Sequence, residues 1–183
     1  MNNDIFNEIM VRKDITIGRW LFDILLIFTS VFLTGLSLIY LGFFSVIPVL
    51  AIVILVPRMV AGRYVEFEYV LTNDQLDFDR IKGRKWRKQL YTLNVKNIEV
   101  MAPMTVDFKE TFFKVKYNKT VDMASNSRAP GRWFVVFNDH KDGKVCVIFE
   151  PTVKMVRNIH RFAPRKVEGM EYLEEALANG EML

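Results

Sequence analysis

The apolar positions of the chain change period after residue 62. From Leu21 to Pro57 they form a nearly unbroken run, LFDILLIFTSVFLTGLSLIYLGFFSVIPVLAIVILVP, in which Asp23 is the one charged side chain. As a single helix this run of about 37 residues is about 55 Å long, nearly twice the hydrocarbon thickness of a bilayer, so two helices fit better. The first is expected from about Ile17 to Tyr40, with Trp20 and Tyr40 suited to the headgroup boundary. Gly42 then permits a reversal, and the second span runs from about Phe43 to Val60, with Pro48 near its start where a missing N–H costs least. Asp23 lies one helical turn from Arg19 and is expected to pair with it. Ahead of the run, Ile5, Phe6, Ile9 and Met10 recur at helical spacing, so residues 1–16 read as a short amphipathic helix or a frayed end.

Beyond Gly62 the period becomes two. RYVEFEYVLT sets Val65, Phe67, Tyr69 and Leu71 against Glu66 and Glu68, and QLDFDRI sets Leu76 and Phe78 against Asp77 and Asp79. RKWRKQLYTL, VKNIEVMA, TFFKVKY, RWFVVFN and KVCVIFE read as further strands, the last two joined by a hairpin at Asp142-Gly143. PTVKMVRNIHRF closes the series as a helix opened by Pro151, with Val153, Val156 and Ile159 on one face. Seven strands and one closing helix predict a bent sheet or open barrel capped at one end.

Charge sharpens the picture. Residues 64–79 hold five acids and no Lys or Arg, residues 80–166 hold twenty Lys or Arg against seven acids, and residues 167–183 hold five acids. The basic density peaks in FDRIKGRKWRKQLY, where Arg80, Lys82, Arg84, Lys85, Arg87 and Lys88 surround Trp86. This hairpin follows the second apolar helix closely, so it is expected beside an anionic leaflet, and all seven residues are candidate lipid-binding residues. The competing reading is a solvated hairpin whose charges protect a sheet edge. Basic residues with an aromatic also suit nucleic acid, but no helix-turn-helix, zinc or RNP pattern accompanies them, which argues against that partner. Arg12, Lys13 and Arg19 before the spans and Arg58 and Arg63 after them, against an uncharged connection, place both ends in the cytoplasm.

Catalytic signals are missing from the sequence. His140 falls in a turn and His160 on the closing helix, without metal-binding spacing, and no phosphate loop or nucleophile motif occurs. Asp77 and Asp79 share a strand face and read as solvated rather than as a catalytic pair. Cys146, the single cysteine, reads as a small core residue. The expectation is a non-enzymatic protein with neither cofactor nor metal.

The pattern YVLTNDQLDFDR…RKWRKQLYTLNVKNIEV resembles the bacterial pleckstrin-homology-like (PH-like) domains attached to paired membrane helices. The resemblance covers roughly Arg63 to Ala163 plus the apolar hairpin. It implies a membrane helical hairpin carrying a mainly β cytoplasmic domain, organised as 1–16, a two-span segment 17–62, a PH-like domain 63–166 and an acidic tail 167–183. The expected protein is a multi-pass cell-membrane binding or scaffolding module. Its expected partners are the bilayer, anionic headgroups and a second copy or another membrane protein; the alternative is an accessory subunit of a membrane complex. Departures from a minimal domain are the long segments Ala102–Glu110 and Thr120–Arg132 and the tail.

Overall fold

The computed structural model describes residues 5–105, 107–108, 112 and 116–178, with side chains to residue 175. The chain divides into two compact units, Met1–Lys13 with Glu66–Ile81 and Arg87–Leu183, and Asp14–Val65 with Lys82–Trp86.

The first unit holds two four-stranded sheets. One is β1 (Phe6–Arg12), β2 (Val65–Thr72), β3 (Gln75–Lys82) and β4 (Trp86–Asn94), adjacent in that order. The other contains β5 (Val100–Pro103), β6 (Lys119–Asp122), β7 (Trp133–Asp139) and β8 (Gly143–Phe149), in the order β5-β7-β8-β6. The expected single sheet of seven strands is therefore corrected to eight strands in two sheets among the described residues.

Alternation decides how the first sheet packs. Phe67, Tyr69, Leu71, Leu76 and Phe78 are buried as the period of two requires. Tyr69 and Phe78 meet Phe149 of the second sheet edge-to-face, with ring centroids 5.5 and 5.2 Å away. The second sheet behaves differently, because WFVVF and VCVIF are buried at every position. A strand covered on both faces reads as a continuous apolar run. Its second face is Ala102, Phe134, Val136, Cys146 and Ile148, with Val100, Met104, Phe108, Phe112 and Tyr117 packed over them.

Four sequence expectations are corrected in this unit. Residues 6–12 are a strand rather than a helix, antiparallel to β2, with Phe6 opposite Thr72 and Arg12 opposite Glu66. Lys119–Asp122, which overlaps the start of the expected loop Thr120–Arg132, is a strand parallel to β8. Residues 167–173, expected as the start of the tail, are part of the fold: Met101 N–H donates to Lys166 O and Glu168 N–H to Met101 O, each at 2.8 Å, and Leu173 is fully buried. The strand expected at Thr111–Tyr117 lies largely outside the described residues. Val95–Asn97, expected as the start of a strand, is a 3-10 turn before β5.

The closing helix α3 (Val153–Phe162; α1 and α2 lie in the second unit) starts two residues later than Pro151 suggests. Thr152 is its cap, its Oγ1 accepting from Met155 N–H at 3.3 Å. Val153, Met155, Val156 and Ile159 are buried. A further helix, α4, spans Met170–Ala178.

In the second unit α1 (Ile17–Leu41) leads through a 3-10 turn, Gly42–Ser45, to α2 (Val46–Ala61). The stretch Ile17–Ala61 is the one among the described residues long and apolar enough to cross a membrane. Its burial is inverted: Ser37 and Ser45 are buried while Phe28, Phe32, Ile39 and Ile47 are mostly exposed. The stretch folds back on itself, for Arg63 Nη1 donates to Asp23 Oδ1 at 2.7 Å. The same guanidinium lies over the Phe22 ring, 4.2 Å from its centroid. Asp23 is thus paired with Arg63, not with Arg19 as expected.

Candidate functional site

The seven basic-hairpin residues divide by structure. Gly83 at φ 59° and Arg84 at φ 58° turn the chain, and Lys85 N–H closes the turn onto Lys82 O at 3.2 Å. Gly83 is required twice over. Its positive φ suits glycine, and a Cβ there would lie 3.2 Å from Ala61 O, tighter than ordinary contact. Its N–H donates to Tyr64 O at 2.8 Å. The tip Lys82–Trp86 is thereby fastened to the chain that leaves α2, within one unit. Lys82, Arg84 and Lys85 are exposed, and Trp86 is 78% exposed.

Arg80, Arg87 and Lys88 belong to the strand stems in the other unit. Arg80 is half-buried, with its Nε shielded and unpartnered. Lys88 is exposed. Arg87 turns back across the sheet: Nε lies 2.6 Å from Asp79 Oδ2 and Nη2 lies 2.6 Å from Glu68 Oε2. Charge-assisted contacts of this kind hold a guanidinium in place.

Asp79 and Glu68 are therefore not the solvated residues that alternation suggests; both are buried. Burial pushes the Glu68 carboxyl above its ordinary value, the neighbouring Glu8 carboxyl adds to the rise, and Arg87 opposes it. The Arg87 guanidinium is in turn held more firmly protonated, chiefly by Asp79. The sequence offers one signal for this cluster. Acids at i and i+2 on β3, Asp77 and Asp79, precede a short reversal, and the strand that follows begins with two adjacent cations, Arg87 and Lys88.

His140 is exposed and His160 half-buried on α3. Cys146 is fully buried, which pushes its thiol up to about 12.

With two small sheets, a closing helix and a basic hairpin in place, family membership can be decided. The model of the family described as Bacterial PH-like domain (DUF6106) matches residues 3–169. The chain belongs to that family. The match begins before β1 and ends after the Met101–Val167 bridge, so the PH-like domain includes both the N-terminal strand and the first residues of the supposed tail. No curated protein and no solved structure matches the chain.

Proposed function

We propose that this PH-like protein is a non-catalytic, membrane-anchored binding module. In this reading Ile17–Ala61 crosses the bilayer twice, both ends and the β domain lie in the cytoplasm, and the basic tip meets anionic lipid headgroups. The observation that carries it is the pairing of β1 with β2. Arg12 and Glu66 are opposite one another in the sheet, and the apolar stretch Ile17–Ala61 lies in the chain between them. A segment whose two ends are held side by side must leave and return on one side, so it spans an even number of times. The Asp23–Arg63 pair supports the same return within the helical unit. Arg58 and Arg63, with Arg12, Lys13 and Arg19, against the uncharged turn Gly42–Ser45, support a cytoplasmic domain.

Single cysteines at two exposed positions, one in the 3-10 turn and one at the end of β2, test this topology, since Cys146 is buried. A membrane-impermeant maleimide should label Phe43→Cys in intact cells, and Thr72→Cys only after permeabilisation. Labelling of both from one side overturns the hairpin.

A second reading, an accessory subunit, is supported by an apolar groove of about 320 Å³ lined by Phe22, Leu25, Leu33, Ile52 and Val56 among others. In it the groove packs a helix of another membrane protein or of a second copy. Mass measurement in mild detergent separates the two, because a bare monomer removes this alternative.

A further inference from the structure

A sheet edge presents a row of unpaired N–H and C=O groups, and folds cover or charge such edges against pairing with other chains. Most edges of this protein are protected in that way. β5 is covered by Lys166–Glu168 through the Met101 hydrogen bonds, β6 carries exposed Lys119, Thr120 and Asp122, and β4 carries exposed Arg87, Lys88 and Gln89. β1 is different. Outside Ile15–Met59 and the Trp86 tip, Phe6 and Met10 of β1 are the large apolar side chains that stand mostly exposed among the described residues, at 59% and 56%.

The ladder fixes which groups point outward. Asn73 N–H donates to Ile5 O at 2.8 Å and Phe6 stands opposite Thr72, so Ile5, Asn7, Ile9 and Val11 address β2. Phe6, Glu8, Met10 and Arg12 therefore turn their backbone groups to the edge, and their side chains share the exposed face. Among the described residues, no backbone hydrogen bond ties Phe6, Glu8 or Met10 to any element other than β2.

Such an edge admits an antiparallel strand, and its own sequence is complementary to itself in one register. Edge-facing residues must meet edge-facing residues, so a two-fold axis between two copies of β1 passes through a residue. An axis at Glu8 sets like carboxylates against each other, and one at Ile9 sets Glu8 against Met10. An axis at Met10 sets Glu8 opposite Arg12 of the second copy, twice by symmetry, with Met10 against Met10 at the centre. Phe6 then lies diagonal to the same guanidinium, within reach of a cation–π contact. Arg12 has five donors, enough to serve its own chain and a carboxylate across the edge. We propose that β1 is a dimerisation edge, pairing antiparallel with β1 of a second copy about a two-fold axis at Met10 and joining two first sheets into one. This surface is separate from the helix groove of the accessory-subunit reading, and its use does not depend on whether Ile17–Ala61 spans a membrane.

The full-length protein in mild detergent tests this by mass and by cross-linking. Opposite Cα atoms of a hydrogen-bonded antiparallel pair lie about 5.5 Å apart, within reach of a disulfide. Met10→Cys should therefore form a covalent dimer under mild oxidation, whereas Thr72→Cys, exposed at the end of β2, should not. Met10→Lys, at an exposed position, sets two ammonium groups face to face and should weaken the dimer by about tenfold or more. Glu8→Arg and Arg12→Glu should each weaken it as well. The two together in one chain should restore the wild-type mass distribution, a recovery that a folding defect cannot mimic. A monomer at every concentration, or a dimer indifferent to Met10→Lys and to both charge reversals, overturns the proposal; the second result moves the contact elsewhere, as to the helix groove. A Met10→Cys cross-link in native membranes to a chain of another mass overturns the second copy in favour of a foreign strand.

Discussion

Arg87 Nε lies 2.6 Å from Asp79 Oδ2, and the two side chains differ sharply in exposure, 55% against 9%. The asymmetry makes truncation of the cation costly. Arg87→Ala leaves Asp79 and Glu68 shielded from water without their counter-charge, whereas Lys88→Ala removes a solvated side chain. Losing one partner of a fully buried pair costs about 3–5 kcal/mol. Because Arg87 itself is half in solvent, a discounted loss of about 1–3 kcal/mol is expected. Lys88→Ala should stay within about 0.5 kcal/mol of wild type. Denaturant unfolding of the full chain checks both, and equal costs would remove the structural role assigned to Arg87.

Glu68 gives this sheet a pH dependence of definite sign. Its carboxyl value is raised above the ordinary 4.5, first by burial and then by Glu8. The folded state therefore holds a proton that the unfolded state has released, and stability contributed by Glu68 falls as pH rises from about 4.5 through the raised value. Asp74, Asp139 and Asp142 are shifted down by their hydrogen bonds and act in the opposite sense, losing stability as pH falls. The comparison must therefore be differential. Relative to wild type, Glu68→Gln should gain stability as pH is raised from 4.5 to 7, in unfolding measured at several pH values. A constant difference across that range rejects the linkage.

The buried thiol supplies a third test. Cys146 is fully shielded on the second face of the second sheet, opposite Val136 and Thr120 in the ladders, and its thiol is pushed up to about 12. At pH 8 it is almost wholly protonated as well as inaccessible, and only the thiolate is nucleophilic. Iodoacetamide should leave the native protein unmodified and alkylate it fully in denaturant, as read by intact mass. Rapid modification of the folded protein contradicts the two-faced burial of β8.

These relationships were unequally legible in the sequence. Val65, Phe67, Tyr69 and Leu71 alternate cleanly because one face of β2 carries its apolar residues, and that inward face was readable. WFVVF and VCVIF were readable as strands, but their burial on both faces depends on Val100, Met104, Phe108, Phe112 and Tyr117, distant from them in the chain. Residues 6–12 misled because Phe6, Ile9 and Met10 fit a helical spacing. Their true inward positions, Asn7, Ile9 and Val11, are a strand alternation that makes sense only with β2 beside it. The partner strand lies beyond the whole apolar stretch, where local periodicity carries no information. Asp79 and Arg87 posed the same difficulty. Each was noticed, one as a solvated acid and one as a lipid contact, but their pairing needs the spatial proximity of β3 and β4.

The basic tip remains the clearest test of the proposed function. Lys82, Arg84 and Lys85 surround the highly exposed Trp86, and Gly83 ties the tip to Tyr64 just beyond the apolar helix. If the tip meets anionic headgroups, Trp86 in reconstituted vesicles should be quenched more by brominated acidic lipid than by brominated neutral lipid. Trp20→Phe removes the other exposed indole, and Trp133 is buried. The preference should shrink with salt, since the screening length falls from about 10 Å at 0.1 M to about 3 Å at 1 M. Lys82→Gln with Lys85→Gln should reduce it further, by up to about 2 kcal/mol if both lie at the surface. Arg87→Gln should affect stability more than lipid preference, because that guanidinium is engaged by Asp79 and Glu68. Quenching that is equal for acidic and neutral lipid at every salt concentration returns the tip to a solvated, charge-protected turn.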